Sequence, residues 1–104
     1  MTQMTMLDLK SIRARFLRFH EENPRVYAEI VEIARLMKQR GVKVMGIALI
    51  FERLRWLHFI EVLTDEPYKL SNDFRAEYSR LIMYSEEDLQ GFFRTRELRR
   101  LRHD

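Results

Sequence analysis

The sequence predicts a mainly α, compact helical domain with room for one short β-hairpin, winged-helix-like in the order of its elements. Three observations carry that expectation. Apolar residues recur at three- and four-residue spacing in successive segments. Helix-ending signals, Asn23-Pro24 and Gly41, fall between those segments. The stretch from Phe59 to Leu70 instead alternates bulky and polar residues around Thr64-Asp65-Glu66-Pro67. An all-helical bundle is the alternative, because the apparent strands are short.

A first helix is expected from Asp8 to about Phe19. Leu9, Ile12, Phe16 and Phe19 share one face, leaving Lys10, Arg13 and Arg18 toward water. Pro24 keeps its predecessor out of the helical region yet suits a first helical position, so a second helix begins there with Asn23 as its cap. It runs to about Arg40 on a stripe of Val26, Ile30, Ile33, Ala34 and Met37, with Glu29, Glu32 and Arg35 mainly opposite. Gly41 supplies the positive backbone dihedral of a helix stop, and Arg40 suits the negative end of the dipole.

Residues 42 to 45 read as a connector or edge strand, and a third helix follows over 46 to 58. Ile47, Ile50, Phe51, Leu54 and Leu57 form its core stripe, with Trp56 at a domain rim. Ile60 and Val62 read as one hairpin arm, Tyr68 and Leu70 as the other, and Pro67 favours an edge position. Ser71 or Asn72 then caps a helix containing Phe74, Tyr78, Leu81 and Ile82. Ser85 is expected to cap a final helical region, where Glu86, Glu87 and Asp88 favour the positive helix end and Leu89, Phe92 and Phe93 anchor the core.

With 104 residues, the chain reads as one domain spanning 1–104, with 1–19 as a variable helical extension and 94–104 as a basic C-terminal segment. A hydrophobic content of 46%, with three Gly and two Pro, is enough to build a core and argues against disorder. There is no Cys, which removes disulfides, thiolate metal ligands and a thiol nucleophile. Charged residues interrupt every apolar run, and the N-terminus lacks a signal-peptide pattern, so a cytoplasmic, non-membrane protein is expected.

Charge is distributed unevenly around a net +3. Basic residues dominate 1–43 and 92–104, whereas acidic residues dominate 44–91. Double-stranded DNA is the partner this pattern suggests first. Arg40, Lys43, Arg53, Arg55 and Lys69 surround the third helix and the turn, and an exposed arginine can contact phosphate or read a guanine edge. Arg94, Arg96, Arg99, Arg100 and Arg102 form the densest run of cations and would release counterions on binding phosphates. Plainer readings stand beside these. Arg53 and Arg55 also fit as solvating residues between Phe51, Leu54 and Leu57, and the terminal arginines as solubilising groups or partners for acidic residues of another subunit. Glu52, Glu61, Asp65 and Glu66 would repel a duplex if they faced it.

Catalysis finds little support. His58 and Glu61 can share a helical face, with Asp65, Glu66 and Lys69 nearby, but the spacing matches no compact ligand set. His20 and His103 lack a catalytic neighbourhood, and neither a serine-nucleophile signature nor a glycine-rich phosphate cradle is present. No enzyme activity, metal or cofactor is expected. Tyr68, Tyr78, Tyr84, Phe92 and Phe93 offer a different possibility, an aromatic interaction surface, though a domain of this size needs most of them in its core.

The segments GVKVMGIALIFERLRW, YKLSNDFRAEYSRLIM and EEDLQGFFRTREL, with NPRVY before them, resemble small uncharacterised proteins encoded by bacteriophages and prophages. The likeness spans roughly residues 20 to 100. It implies one domain in an intracellular, phage-related setting and carries no catalytic residues with it. The expectation is therefore a noncatalytic DNA-binding protein of phage or prophage type. The alternative is a phage adaptor or host-protein interaction module that could self-associate as a homodimer.

Overall fold

The chain enters its first helix through a capping box. Asp8 N–H donates to Thr5 Oγ1 at 3.1 Å and Thr5 N–H donates to Asp8 Oδ2 at 3.0 Å, which satisfies amides that the helix itself leaves open. Helix α1 therefore spans Met6–Glu22, starting two residues before the expected Asp8. Thr5's backbone N–H, and then its hydroxyl, hold the Asp8 carboxyl below its ordinary value. The computed structural model describes residues 5–62 and 70–95, apart from the side chains of residues 61 and 62.

Helix α2 spans Pro24–Gln39. Asn23 occupies the cap position but makes no side-chain bond to α2. Its Nδ2 donates at 3.0 Å to Phe19 O, so it closes the end of α1 instead. At the other end of α2, Gly41 takes φ +100, Gly41 N–H donates to Lys38 O and Val42 N–H donates to Met37 O. This is a Schellman closure, which the expected glycine stop makes available without steric cost.

Helix α3 spans Ile47–Val62. Ile60 and Val62, expected in a hairpin arm, continue the helix. Their alternation with His58 and Glu61 is also compatible with helical spacing, and no Pro or Gly interrupts the chain between 47 and 62. The expected turn at Thr64–Pro67, together with Tyr68 and Lys69, lies outside the described residues. Leu70 is buried, and no β-strand occurs among the described residues.

Ser71 caps the next turn as expected, accepting from Asp73 N–H at 3.1 Å. A 3-10 turn over Asn72–Phe74 leads into α4, Arg75–Ser85. Ser85 ends α4 and does not cap a further helix. A short 3-10 turn, Glu87–Leu89, follows, and Gly91 at φ +72 turns the chain inward. The acidic run is held by α2. Arg35 donates to Glu86 Oε1 at 2.7 Å and to Asp88 Oδ2 at 2.9 Å, Tyr27 donates to Glu86 Oε2 at 2.7 Å, and Lys38 reaches Asp88 O.

Four α-helices among the described residues thus close on one core, a compact and mainly α arrangement. Phe16 comes from α1, Ile30 and Ala34 from α2, Ile50, Phe51 and Leu54 from α3, and Tyr78 and Ile82 from α4. Phe92 and Phe93 complete it from the C-terminal side. Met45 N–H donates to Phe92 O at 2.9 Å and Arg94 N–H donates to Met45 O at 3.1 Å, an isolated parallel bridge that fixes residues 92–94 beside the entrance to α3.

The Arg35–Asp88 pair makes acid sensitivity predictable in sign. Arg35's hydrogen bond and charge hold the Asp88 carboxyl below its ordinary value. Its stabilisation is therefore present above the unfolded carboxylate pKa and is lost as pH falls through the lower folded value. Asp88→Asn should flatten the acid side of the stability profile. Urea melts between about pH 2 and 6 would read this, and a variant profile parallel to the wild type would assign the acid response to other groups.

Candidate functional site

The Met45–Phe93 bridge decides which of the expected cations come together. Arg40 ends α2, Lys43 lies in the connector two residues before Met45, and Arg94 directly follows Phe93. All three are exposed. Arg40, Lys43 and Arg94 therefore sit on the two chain segments that meet at the bridge, although 40 and 94 are far apart in sequence. Beside them, Arg75 and Arg94 line a recess of about 330 Å³ with Gly46, Ile47 and Ala48 at the start of α3. The amides of a helix's first turn carry partial positive charge, which adds to that of the two guanidinium groups. Asp73 also lines this recess, but its carboxylate accepts from Arg15 at 3.1 Å.

The remaining expected positions separate. Arg53 is exposed on the outer side of α3. Arg55 is turned inward. Its Nη1 donates to Glu52 Oε1 at 2.7 Å, and its Nη2 donates to Leu70 O at 2.8 Å and Asn72 Oδ1 at 2.5 Å. The same guanidinium lies 5.8 Å from the centre of the Phe51 ring. Its donors tie α3 to the segment entering α4. Lys69, Arg96, Arg99, Arg100 and Arg102 lie outside the described residues, as do Asp65 and Glu66.

Several other cations are committed to acids within the fold. Arg15 pairs with Asp73, Arg35 with Glu86 and Asp88, and both Arg13 and Arg80 with Glu77. The sum of charges in a segment therefore overstates what is available to a polyanion.

The expected aromatic surface is redistributed. Tyr78, Phe92 and Phe93 are core residues, Tyr84 is exposed, and Tyr68 lies outside the described residues. In its place, α3 exposes Leu49, Trp56, Phe59 and Ile60, the first three by 69%, 55% and 66%. Trp56, Phe59 and Ile60 stand at three- and four-residue spacing on the helix, so their exposed side chains are neighbours. Sequence reasoning followed the stripe through Ile47, Ile50, Phe51 and Leu54. It missed a second helical spacing on the other side of the same segment, and it missed Arg75, which lay outside every charge run.

Between α2 and α3 lies a groove of about 630 Å³, floored by Ile33, Leu54 and Leu57 and edged by Glu22, Glu29, Glu32 and His58. No cluster of His, Asp or Glu among the described residues could hold a metal ion. No helix among them is long and apolar enough to cross a membrane. No protein-family model matches the chain, and neither a curated protein nor a solved structure does.

Proposed function

We propose that this is a noncatalytic DNA-binding protein of phage or prophage type that grips phosphates with the end of the domain where α2, the start of α3 and residues 92–94 meet. The observation that carries this reading is the bridge that brings Lys43 and Arg94 onto adjoining segments, with Arg40 one short connector away. In the sequence, Arg94 is also the first of the arginine-rich run that includes Arg96, Arg99, Arg100 and Arg102. The phage setting rests on the resemblance of the three quoted segments. Contacts of this kind attract a duplex through its backbone and carry little sequence information.

Binding to a mixed duplex library across a salt series tests the proposal. Affinity should fall steeply with salt, and Lys43→Ala with Arg94→Ala should lower it at every sequence while reducing the log–log salt slope by about 0.9 for each phosphate no longer neutralised. Arg55→Ala is the contrasting variant, because its side chain is engaged within the fold. Folded protein that fails to bind at low salt would remove the proposal.

A second reading, a protein-interaction module, is favoured by the exposed apolar residues on the outer side of α3. The two surfaces differ in chemistry and can be tested separately.

A further inference from the structure

We infer that the outer face of α3 pairs with the same face of a second copy, the two helices running antiparallel. The inference rests on the reading of that face as an interaction surface. Leu49, Arg53, Trp56 and Ile60 follow one another by four, three and four residues, the spacing that keeps a stripe facing a partner helix. All four are exposed, whereas Ile47, Ile50, Phe51 and Leu54 hold the opposite side in the core. A helix apolar on both sides needs cover on both.

The chemistry of the stripe selects the occupant. Arg53 is its one charged member and makes no hydrogen bond or ion pair among the described residues. In an antiparallel pair, Leu49 lies opposite Ile60 of the second copy, and Arg53 lies opposite Trp56 of the second copy. Each copy then supplies both halves of an arginine–tryptophan contact, the most favourable side-chain cation–π combination. A parallel pair would place Arg53 against Arg53 and Trp56 against Trp56. The antiparallel arrangement is isologous, since the same patch serves both copies.

The available area fits a small, weak interface. If aromatic side chains bury about 150–250 Å² each, the stripe's Leu49, Trp56 and Ile60 together with Phe59 beside them offer on the order of 500 Å² per copy and ~1,000 Å² per pair. That is the lower edge of a specific interface, so a dimer of micromolar rather than nanomolar affinity is expected.

Trp56 is the only tryptophan and the chain has no cysteine, so both the emission and engineered thiols report on this face alone. Sedimentation from ~1 µM to ~1 mM should show a monomer–dimer equilibrium, with Trp56 emission moving to shorter wavelength as dimer forms. Arg53→Ala should weaken association about 5- to 30-fold through its two symmetric contacts, and Trp56→Ala more, with helical content unchanged. An equimolar mixture of Leu49→Cys and Ile60→Cys chains should cross-link between the two variants. Cross-linking of Leu49→Cys to itself would overturn the antiparallel pairing.

Protein that stays monomeric to ~1 mM with unshifted emission overturns self-pairing. Binding of the apolar dye ANS then separates the two levels. Monomer whose dye binding depends on Trp56 and Phe59 overturns self-pairing alone, whereas monomer that binds no dye also overturns the interaction-surface reading.

Discussion

Replacing Tyr78 by alanine is expected to cost about 3–5 kcal/mol of folding stability, the range for removing a large aromatic side chain from a packed core. Tyr78 is fully buried, and its ring joins three helices. It meets the Phe16 ring of α1 edge-on at 4.7 Å, His20 of α1 at 6.0 Å and Phe51 of α3 at 6.0 Å, while its own backbone belongs to α4. Truncation opens a void that no neighbouring side chain can fill without pulling one of those helices inward. Since domains of this size are stable by only about 5–15 kcal/mol, the variant should lose from about a fifth to all of that margin. Urea unfolding would show it as a large drop in midpoint at nearly constant slope. Tyr78→Phe keeps all three ring contacts and should cost far less than Tyr78→Ala. Equal losses for the two variants would mean that the hydroxyl, rather than ring packing, dominates at this position.

Tyr78 was legible in the sequence as a core residue because Phe74, Tyr78 and Ile82 share one helical face. The ends of α1 and α2 were legible for a related local reason. Asn23-Pro24 and Gly41 act through their own backbone dihedrals, so their consequences need no knowledge of tertiary contacts. Where the reading failed, two local rules competed. Phe59 to Val62 satisfies both strand alternation and helical spacing, and continuation of an existing helix adds one hydrogen bond per residue without a new nucleus. Ser85 had the chemistry of a cap, but Arg35 and Tyr27 on α2 hold Glu86 and Asp88, and Gly91 turns the chain before another helix develops.

The candidate sites were less legible because they depend on which charges the fold consumes. Arg53 and Arg55 are two residues apart, yet one is exposed without a partner among the described residues and the other is bound by a carboxylate, a backbone carbonyl and an amide oxygen. Those acceptors include residues 15 and 17 positions away, a separation no local pattern encodes. The grouping of Lys43 with Arg94 likewise depends on one backbone bridge. The stripe Leu49–Arg53–Trp56–Ile60 was present in the sequence as a spacing, but the stronger stripe beside it had already accounted for the helix.

Glu77 supplies the second large expected effect, and it follows from burial of charge rather than of apolar surface. Its carboxylate is only 8% exposed by residue yet accepts from two arginines, Arg13 Nε at 3.3 Å and Arg80 Nη2 at 2.8 Å. Arg13 belongs to α1, whereas Glu77 and Arg80 lie one turn apart on α4, so the carboxylate both crosses between helices and offsets a cation within its own. Glu77→Ala removes the acceptor that Arg13 and Arg80 share, at an expected cost of about 2–4 kcal/mol. Arg13→Ala should cost no more than about 1 kcal/mol, because its side chain is 60% exposed and water can replace it. Glu77→Gln keeps an acceptor of the same shape without the charge and should fall between them. In a double-mutant cycle, removing Arg13 as well should recover part of the Glu77→Ala loss by relieving repulsion between the arginines. A Glu77→Ala loss no larger than that of Arg13→Ala would show that solvent already screens this carboxylate, and that the contact between α1 and α4 rests on the packing of Phe16 and His20 against Tyr78.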